Sequence, residues 1–457
     1  MLLYAVSFHL QANTVNEAGS IKTRTQPDII TRAEHTISRG NISPNALKVL
    51  YRLKESGYQA HLVGGGVRDL LLGREPKDFD IATDAVPEDV RRLFRNCRLI
   101  GRRFRLAHVL FGREVIEVAT FRALQDDGDK EDVGERHIDV EGRIVRDNVY
   151  GNIEDDALRR DFTVNALYYN IADFSITDYA RGMQDIDAGL LRLIGDPVTR
   201  YREDPVRMLR AVRFATKLGF RIEKTSEEPI VQLAPLLGDI PPARLFDEML
   251  KLFMGGHALA NFEMLRHYTL FGQLFPLTEE ALTHEEEHFP LTLISRGMEN
   301  TDTRIAQGKP VTPAFLFALF LWQPVRERAA RLEAGGQHKA EALQHAGSQI
   351  ITEQAAIMSL PRRYSLPMRE IWMLQLRLEN TGGRRSMRVL AHPRFRAAYD
   401  FLLLRGEAGE VSAEAGEWWT ELQEKNPSDV AQADSKPRTG KTRRRRRSRK
   451  RPAGGQV

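Results

Sequence analysis

The segment 61–82, HLVGGGVRDLLLGREPKDFDIA, constrains the fold of this chain more than any other. Apolar residues that run into three glycines predict a strand that ends in a turn. Residues 67–72 predict a short helix, which a glycine directly after them can end. In residues 78–81 acidic and apolar residues alternate, which is the period of a strand with one acidic face and one apolar face. The segment therefore predicts a strand, a glycine turn, a helix and a second strand.

The glycine turn and the helix after it form a candidate phosphate-binding site. Gly64 and Gly65 have no side chains, so their backbone N–H groups can approach a phosphate closely. The positive N-terminal end of the helix, with Arg68, is expected to face a triphosphate. Asp69 is assigned to the same nucleotide-binding group. A plain surface ion pair between Arg68 and Asp69 stays open as the alternative.

Three carboxylates form a candidate metal site. Asp78 and Asp80 are expected on one face of the second strand, where two oxygen ligands so close together suit a pair of Mg²⁺ ions. In another predicted strand, residues 115–120, Glu117 alternates with apolar neighbours and can stand beside this pair if the two strands are adjacent. The alternative for each acid is a solvated position on a strand.

The segment 154–170, EDDALRRDFTVNALYYN, carries a second polar cluster. Arg160 and Asp161 fall where one predicted helix ends and another begins. Asp161 therefore either caps a helix over residues 162–168 or joins Arg160 in binding phosphate, ribose or metal. Asn165 is expected to help recognise the sugar.

The segment 202–220, REDPVRMLRAVRFATKLGF, predicts a nucleotide-selecting helix. Asp204 precedes a proline, the pattern of an N-cap followed by a first-turn proline. Arg207 and Arg210 follow at intervals of three and share its face. A carboxylate beside a guanidinium can offer a donor and an acceptor to a base edge. Capping alone explains Asp204 but not the repeated arginines.

Length and composition allow a protein of several domains. A chain of 457 residues accommodates two to four domains, and its single cysteine, Cys97, excludes an intrachain disulfide and a Cys-based zinc site. No stretch reaches the roughly 18 apolar residues of a membrane helix. The N-terminal MLLYAVSFHLQ lacks a basic region and is expected to be a loose arm. A cytoplasmic location is expected.

Charge is distributed unevenly along the chain. The net charge is +5, yet residues 436–451 contain eleven Lys or Arg and no acid, which leaves −6 for the remainder. Such a tail is expected to be disordered when free and to bind a polyanion, with RNA the favoured partner. A solubilising tail, or one that docks on an acidic protein, is the alternative. Its unbroken arginines are Arg443, Arg444, Arg445, Arg446 and Arg447.

The periodicity changes character along the chain. Residues 45–56 predict an amphipathic helix, and from residue 59 to about 178 short strands alternate with helices. From residue 200 onward the pattern is almost wholly helical, for example over residues 242–254.

Five ordered segments carry a family resemblance. HLVGGGVRD, DFDIA, IEVATFR, RRDFTVNAL and REDPVRMLRAVRF resemble the motifs of class II tRNA nucleotidyltransferases and bacterial poly(A) polymerases, within the polymerase β superfamily. The resemblance covers residues 60–220, and PPARLFDEMLKLF at 241–253 fits the family's helical neck. It implies an α+β fold with a mixed-sheet polymerase β-like nucleotidyltransferase head, an all-helical neck and body, and a disordered basic tail.

The resemblance also implies domain limits. We expect a flexible arm at 1–40, a catalytic head at 41–180 and a neck that binds nucleotide and RNA at 181–255. An RNA-binding body is expected at 256–406, and a linker with the Arg-rich tail at 407–457.

The resemblance implies template-independent addition of AMP from ATP to RNA 3′ ends, with release of pyrophosphate. Asp78 and Asp80 would bind two Mg²⁺ ions, or Mn²⁺ in their place, and Glu117 would complete the site. Asp161 is carried over as a further active-site acid, while Asp204 and Arg207 would select the base.

The segment 99–112, LIGRRFRLAHVLFG, is similar to the form found in the poly(A) polymerase branch. Its Arg102, Arg103 and Arg105 are expected to bind RNA, and a long Arg-rich extension likewise resembles the poly(A) polymerases of γ-proteobacteria. A CCA-adding tRNA nucleotidyltransferase and a catalytically silent RNA-binding adaptor stay open as alternatives. A monomer that promotes RNA decay is expected, with the tail as a possible contact to the decay machinery.

Overall fold

The computed structural model describes residues 26–101, 105–124, 136–138, 144–147, 149–283, 289–382 and 386–426. Contacts divide the chain into two units. The first unit comprises Met1–His284, Met298–Pro313 and Ile351–Leu360, and the second comprises Glu285–Gly297, Ala314–Ile350 and Pro361–Val457. The division therefore falls within the stretch expected to form a single helical body.

The head is built on a mixed sheet, as the sequence predicted. The strands in chain order are β1 Asp28–Ile30, β2 Ala60–Val63, β3 Asp80–Thr83, β4 Cys97–Ile100, β5 Leu106–Phe111, β6 Glu114–Thr120, β7 Arg136–Ile138, β8 Ile144–Asp147, β9 Leu167–Asn170, β10 Ile176–Asp178, β11 Leu190–Leu191 and β12 Arg221–Ile222. Eight of them form one sheet in the order β1-β10-β9-β2-β3-β6-β5-β4. The β3–β6 pair is parallel, and its neighbours in the sheet are antiparallel.

Helices form the rest of the described chain. They are α1 Pro44–Glu55, α2 Gly65–Leu71, α3 Pro87–Leu93, α4 Ile153–Arg159, α5 Gly182–Ala188, α6 Pro197–Glu203, α7 Val206–Leu218, α8 Lys224–Glu227, α9 Ile230–Leu233, α10 Pro242–Phe253, α11 Ala258–His267, α12 Leu270–Leu274, α13 Pro276–Thr283, α14 Phe289–Ala306, α15 Pro313–Phe320, α16 Trp322–Ala334, α17 Lys339–Ile357, α18 Arg362–Leu378, α19 Ser386–Leu390, α20 Phe395–Glu407 and α21 Ala413–Lys425. None of the helices in the described ranges is both long and apolar enough to cross a lipid bilayer.

The glycine-containing segment 61–82 begins as a strand, a turn and a helix. β2 ends at Val63, and Gly64 takes φ +69°, a left-handed value that a glycine adopts without strain. The helix begins at Gly65, two residues earlier than predicted, and Gly73 follows it with φ +67°. α1 begins at a Ser43 cap and packs its apolar face on one side of this sheet. Strand, turn and helix are therefore fixed by burial on a common core.

The prediction of a flexible N-terminal arm is wrong for residues 28–37. β1 pairs with β10 at the edge of the sheet, so this stretch belongs to the head. His35 and Ile37 are buried, and the His35 imidazole Nε2 lies 2.8 Å from the Phe174 carbonyl oxygen. A three-residue strand gives too short a pattern to be recognised from periodicity.

Two predicted helix starts are also wrong. Residues 162–168 form a 3₁₀ turn, Thr163–Asn165, and the start of β9 instead of a helix. Asp204 does not cap α7, because it is the C-cap residue of α6 and α7 begins at Val206 after Pro205. The chain bends at Asp204, where two separate helices meet.

The expected linker after residue 407 contains a helix. α21 begins after a Ser412 cap and packs against α20 in the second unit. Trp419 is fully buried in the core that α18 and α20 share, and its indole Nε1 donates to the Leu378 carbonyl at 2.8 Å. The acidic composition hid an amphipathic helix whose buried face is carried by few residues.

We predict that Trp419→Ala destabilises the second unit. Removing a fully buried indole with its hydrogen bond costs about 3–5 kcal/mol, so the midpoint of thermal unfolding, followed by circular dichroism, should fall by several degrees. Trp418→Ala is the matched control. Trp418 is only partly buried, so its substitution should lower the stability less. Equal effects of the two substitutions would show that α21 does not anchor through Trp419.

Candidate active site

The parallel pairing of β3 and β6 brings two of the predicted carboxylates together. Asp80 is the register partner of Glu117, so both side chains lie on the same face of neighbouring strands. Burial and the nearby charge of Glu117 raise the pKa of Asp80 to about 6, although Arg160 acts in the opposite direction. Asp78 lies just before the strand and is exposed. The three acids therefore lie at the same end of the sheet.

Glu117 also has a partner that the sequence did not reveal. β5 pairs with β6 on the other side, and His108 is the register partner of Glu117. The imidazole Nε2 of His108 lies 3.2 Å from a carboxylate oxygen of Glu117, which fits an N–H donor at Nε2. Alternation along β5 marks His108 as facing away from the core, but only the strand register identifies its neighbour.

The carboxylates fit a divalent cation by their chemistry. Ionised oxygens are the ligands that Mg²⁺ prefers, and the pKa of Asp80 is raised first by burial and then by the neighbouring charge of Glu117. In the described ranges no three His, Cys, Asp or Glu side chains are already grouped as a metal cluster. Asp80 and Glu117 are register neighbours, and Asp78 lies two residues before Asp80.

Arg160 lies against the glycine turn. A Cβ atom added to Gly64 would come within 3.2 Å of the guanidinium Nη1 of Arg160, so a side chain at Gly64 would crowd this arginine. The Arg160 guanidinium donates to the Tyr168 hydroxyl at 2.8 Å and to the Asp156 carboxylate at 3.1 Å. Burial alone would lower the pKa of Arg160, but these two neighbours raise it. Arg160 is thus a fixed cation beside the predicted phosphate turn.

Arg68 also lies against the glycine turn, where a Cβ atom added to Gly65 would come within 3.4 Å of its guanidinium Nη2. Its side chain is 1% exposed, so the alternative of a surface ion pair with Asp69 is wrong. The guanidinium donates to the carboxylate of Asp69 and to the side-chain oxygen of Asn165. The ammonium of Lys217 lies 3.2 Å from the same Asp69 carboxylate. Arg68 is therefore buried beneath the glycine turn instead of pointing out towards solvent.

Asp161 forms an ion pair with Arg210. One Asp161 oxygen accepts from Nε and Nη2 of Arg210, and the other accepts from the Asn165 amide at 3.2 Å and from the Phe162 backbone N–H at 2.9 Å. Burial acts to raise the pKa of Asp161, but Arg210 and these hydrogen bonds hold it below its ordinary range. Asn165 consequently joins Arg68 to Asp161 in one hydrogen-bonded network.

Asp204 and Arg207 remain neighbours, although each has another partner. The Arg207 backbone N–H donates to the Asp204 carbonyl at 2.9 Å across the bend between α6 and α7. The Asp204 carboxylate accepts from Arg244 at 2.6 Å, and the Arg207 guanidinium donates to Glu203 at 2.9 Å. The sequence missed Arg244, because α10 is far from Asp204 along the chain.

Of the arginines predicted to bind RNA, Arg105 lies within the described residues. Arg105 forms an ion pair with Glu88 at 2.8 Å, and both side chains are about half exposed. Arg102, Arg103 and the arginines at 443–447 lie outside the described residues.

Family models match most of the chain. The model described as "Poly A polymerase head domain" matches residues 60–192, "Probable RNA and SrmB- binding site of polymerase A" matches residues 219–282, and "Polymerase A arginine-rich C-terminus" matches residues 335–452.

Curated relatives and solved structures agree with these matches. The chain is 50% identical to "Poly(A) polymerase I" of Escherichia coli over 95% of both proteins. It is 32% identical to a "CCA-adding enzyme" of Bacillus subtilis over 73% of this chain and 83% of that protein. The structure resembles the Bacillus stearothermophilus CCA-adding enzyme in complex with CTP, with a TM-score of 0.55, 26% identity and coverage of 85% of this chain and 83% of the other.

We predict that Asp80→Asn stabilises the metal-free protein at neutral pH. The folded-state pKa of Asp80, about 6, exceeds the ordinary value of 3.8, so the folded state binds the proton more tightly than the unfolded state. The ionised Asp80 carboxylate therefore destabilises the folded state. This free-energy cost grows as pH rises from about 4 and is fully present above about 6. Removing the charge should raise the free energy of unfolding by about 2 kcal/mol at pH 7.5 in EDTA.

Urea denaturation in EDTA measures this effect, with Asp78→Asn as the control because Asp78 is exposed. The gain from Asp80→Asn should vanish at pH 4. An equal increase in the free energy of unfolding at both pH values would show that the effect of Asp80→Asn is not electrostatic.

Proposed function

The chain belongs to the poly(A) polymerase family and is a polynucleotide adenylyltransferase, and we propose that it adds AMP to RNA 3′ ends by two-metal nucleotidyl transfer. RNA and ATP are its substrates. The observation that carries the mechanism is the register of β3 and β6, which places Asp80 beside Glu117 next to the glycine turn.

Asp78, Asp80 and Glu117 are the residues proposed to hold the metal. Enzymes of this family generally use divalent ions. When bound, two Mg²⁺ or Mn²⁺ ions make the RNA 3′-hydroxyl a better nucleophile and neutralise charge on the triphosphate. The crowded charge at Asp80 supports this assignment, because a cation would relieve it.

The glycine turn and Arg160 are proposed to bind the triphosphate. Gly64 and Gly65 place no side chain at the start of α2, and Arg160 presents Nη1 at the same turn. The 3′-oxygen attacks the α-phosphate in line and pyrophosphate leaves, so fixed cations on the leaving side stabilise the developing charge. Arg68 and Asp69 support the turn from beneath, since both are buried.

Asp161 is proposed to orient groups around the nucleotide rather than to bind metal. Both of its oxygens accept hydrogen bonds, from Arg210, Asn165 and the Phe162 backbone. A carboxylate already neutralised by a guanidinium is a poor additional ligand for a cation. Asn165 and Arg210 then take part in the nucleotide site through this carboxylate.

Asp204 and Arg207 are proposed to read the base. Their backbone hydrogen bond keeps them adjacent, and Arg244 and Glu203 fix their side chains. A fixed donor and a fixed acceptor discriminate between base edges better than mobile ones, because less side-chain entropy is lost on binding.

The CCA-adding alternative is less well supported. The poly(A) polymerase relative is 50% identical over 95% of this chain, against 32% over 73% for the CCA-adding enzyme. The intact carboxylate group argues against a silent adaptor.

The remaining assignments are proposals as well. We propose a cytoplasmic monomer that promotes RNA decay, with the Arg-rich tail contacting RNA and the decay machinery. The head, neck and body limits at 41–180, 181–255 and 256–406 are proposed as functional regions, with residues 28–40 now added to the head.

We predict long A tails on any RNA with a free 3′-hydroxyl. The protein should be incubated with a generic oligoribonucleotide and with tRNA lacking its CCA end, and each of the four NTPs should be offered separately. Long A tails on both acceptors are expected, and gel electrophoresis measures them. Incorporation of C restricted to tRNA would favour CCA addition, and no metal-dependent incorporation at all would favour an adaptor.

Asp80→Ala should lower AMP incorporation in this assay at least about 100-fold, because it removes a central metal ligand. Glu75→Ala is the matched control, since Glu75 is an exposed acid shortly before the same strand. Wild-type incorporation by Asp80→Ala would refute the metal assignment.

We predict that removing residues 436–457 weakens RNA binding and flattens its salt dependence. The deletion removes eleven positive charges, and the slope of affinity against salt concentration is proportional to the number of phosphates that the protein neutralises. Fluorescence anisotropy over a salt series measures both quantities. A variant with lysines at 443–447 keeps the charge and should keep the slope, whereas unchanged affinity after deletion would contradict a role of the tail in RNA binding.

A further inference from the structure

We propose that Tyr168 and Asp156 are positioning residues that hold the Arg160 guanidinium for the triphosphate of the incoming nucleotide. This inference rests on the proposed role of Arg160 in binding phosphate. Neither Tyr168 nor Asp156 touches the predicted metal ligands, so their effect would be exerted through Arg160.

The Tyr168 hydroxyl joins the two charged groups. Its oxygen accepts from Nε of Arg160 at 2.8 Å and donates to Oδ2 of Asp156 at 2.5 Å. Burial raises the pKa of Tyr168 well above its ordinary value, so the hydroxyl keeps the proton that it donates. The Arg160 guanidinium carbon also lies 5.1 Å from the centre of the Tyr168 ring, within range of a cation–π contact.

Asp156 fixes a second edge of the guanidinium. Its Oδ2 accepts from Nη2 of Arg160 at 3.1 Å, while its Oδ1 accepts the backbone N–H of Arg122 at 3.3 Å. Arg122 follows β6, the strand that carries Glu117. Asp156 therefore ties the phosphate-binding arginine to the strand of a metal ligand.

The geometry directs one nitrogen of Arg160 at the glycine turn. Nε is bound by Tyr168 and Nη2 by Asp156, whereas Nη1 is the atom that lies next to Gly64. Nη1 makes one long hydrogen bond, at 3.4 Å to the Asn165 carbonyl, and it carries a second N–H that a phosphate can use. A planar guanidinium held at two nitrogens cannot rotate, so the position of Nη1 is determined before any substrate binds. Such preorganisation lowers the cost of binding a phosphate.

The same strand supplies a matched control. Tyr169 follows Tyr168 in β9 and is equally buried, at 1% against 0% exposure, but its ring faces the opposite side and packs in the core beneath α1. Its ring contacts His35 edge to face. Tyr169→Phe therefore removes one hydroxyl from a buried tyrosine of the same strand without reaching Arg160.

The experiment compares Tyr168→Phe with Tyr169→Phe in the full chain. Loss of a hydrogen bond to a charged group should weaken ATP binding about tenfold in Tyr168→Phe, measured as the Kd in the presence of Mg²⁺ and as KM. The KM for RNA should stay unchanged, and inhibition by inorganic tripolyphosphate should weaken by the same factor. Asp156→Asn should act in the same direction, and Tyr169→Phe should leave all four quantities unchanged.

A double-mutant cycle identifies the route of the effect. In an Arg160→Met background Tyr168→Phe should cause no further loss of ATP binding, because the group that it positions is absent. A full tenfold loss in that background would overturn the proposal, as would an unchanged Kd for ATP in Tyr168→Phe alone. If Arg160→Met itself left ATP binding unchanged, the proposed role of Arg160 would fail instead.

Discussion

The parallel pairing of β3 with β6 is the constraint on which the active site depends. It places Asp80 and Glu117 in register on one sheet face, where their charges repel each other and Asp80 is buried enough for its pKa to reach about 6. The backbone ladder joins the two strands, and α1 and α3 pack against the pair in a common hydrophobic core. The core thus imposes an electrostatic cost at the site, which the proposed cation would relieve.

Arginines around this centre are fixed by carboxylates that do not belong to the metal group. Arg210 pairs with Asp161, Arg160 with Asp156, and Arg68 with Asp69. Three guanidinium groups, those of Arg68, Arg210 and Arg213, also lie within 5.5 Å of the centre of the Phe214 ring. Because a buried guanidinium without a partner is costly, each pairing makes a rigid cation possible in this low-dielectric region. Negative charge is thereby divided between the proposed metal ligands Asp78, Asp80 and Glu117 and the acids that are paired with arginines.

The periodicity of the sequence predicted those helices, strands and turns that depend on local sequence. The strand–turn–helix at Gly64, the alternation at Glu117 and the helix at 242–254 all follow from spacing of apolar and glycine residues, and the structure agrees with them within two residues. The strand register did not follow from spacing, so His108 beside Glu117 went unrecognised. Predictions at short elements failed for a related reason: β1 spans three residues, and the seven-residue α6 ends at Asp204, which was predicted as the N-cap of the next helix. α21 was hidden by its acidic composition, although Trp419 anchors it.

Different groups hold the guanidinium groups of Arg68 and Arg160, which the sequence alone does not show. Both arginines fall near the glycine turn, and the sequence assigned both to the triphosphate. Arg68 lies inside the head, where its Nε and Nη2 donate to Asp69 and its Nη1 donates to Asn165, and a Cβ atom added to Gly65 would lie 3.4 Å from Nη2. Arg160 is held from behind by Tyr168 and Asp156, which places Nη1 at the turn itself. The difference arises from β9, because the strand that follows Arg160 places a buried tyrosine hydroxyl where it can fix the guanidinium. The proposed phosphate-binding role of Arg160 therefore rests on the groups behind its guanidinium as much as on the glycines in front of it.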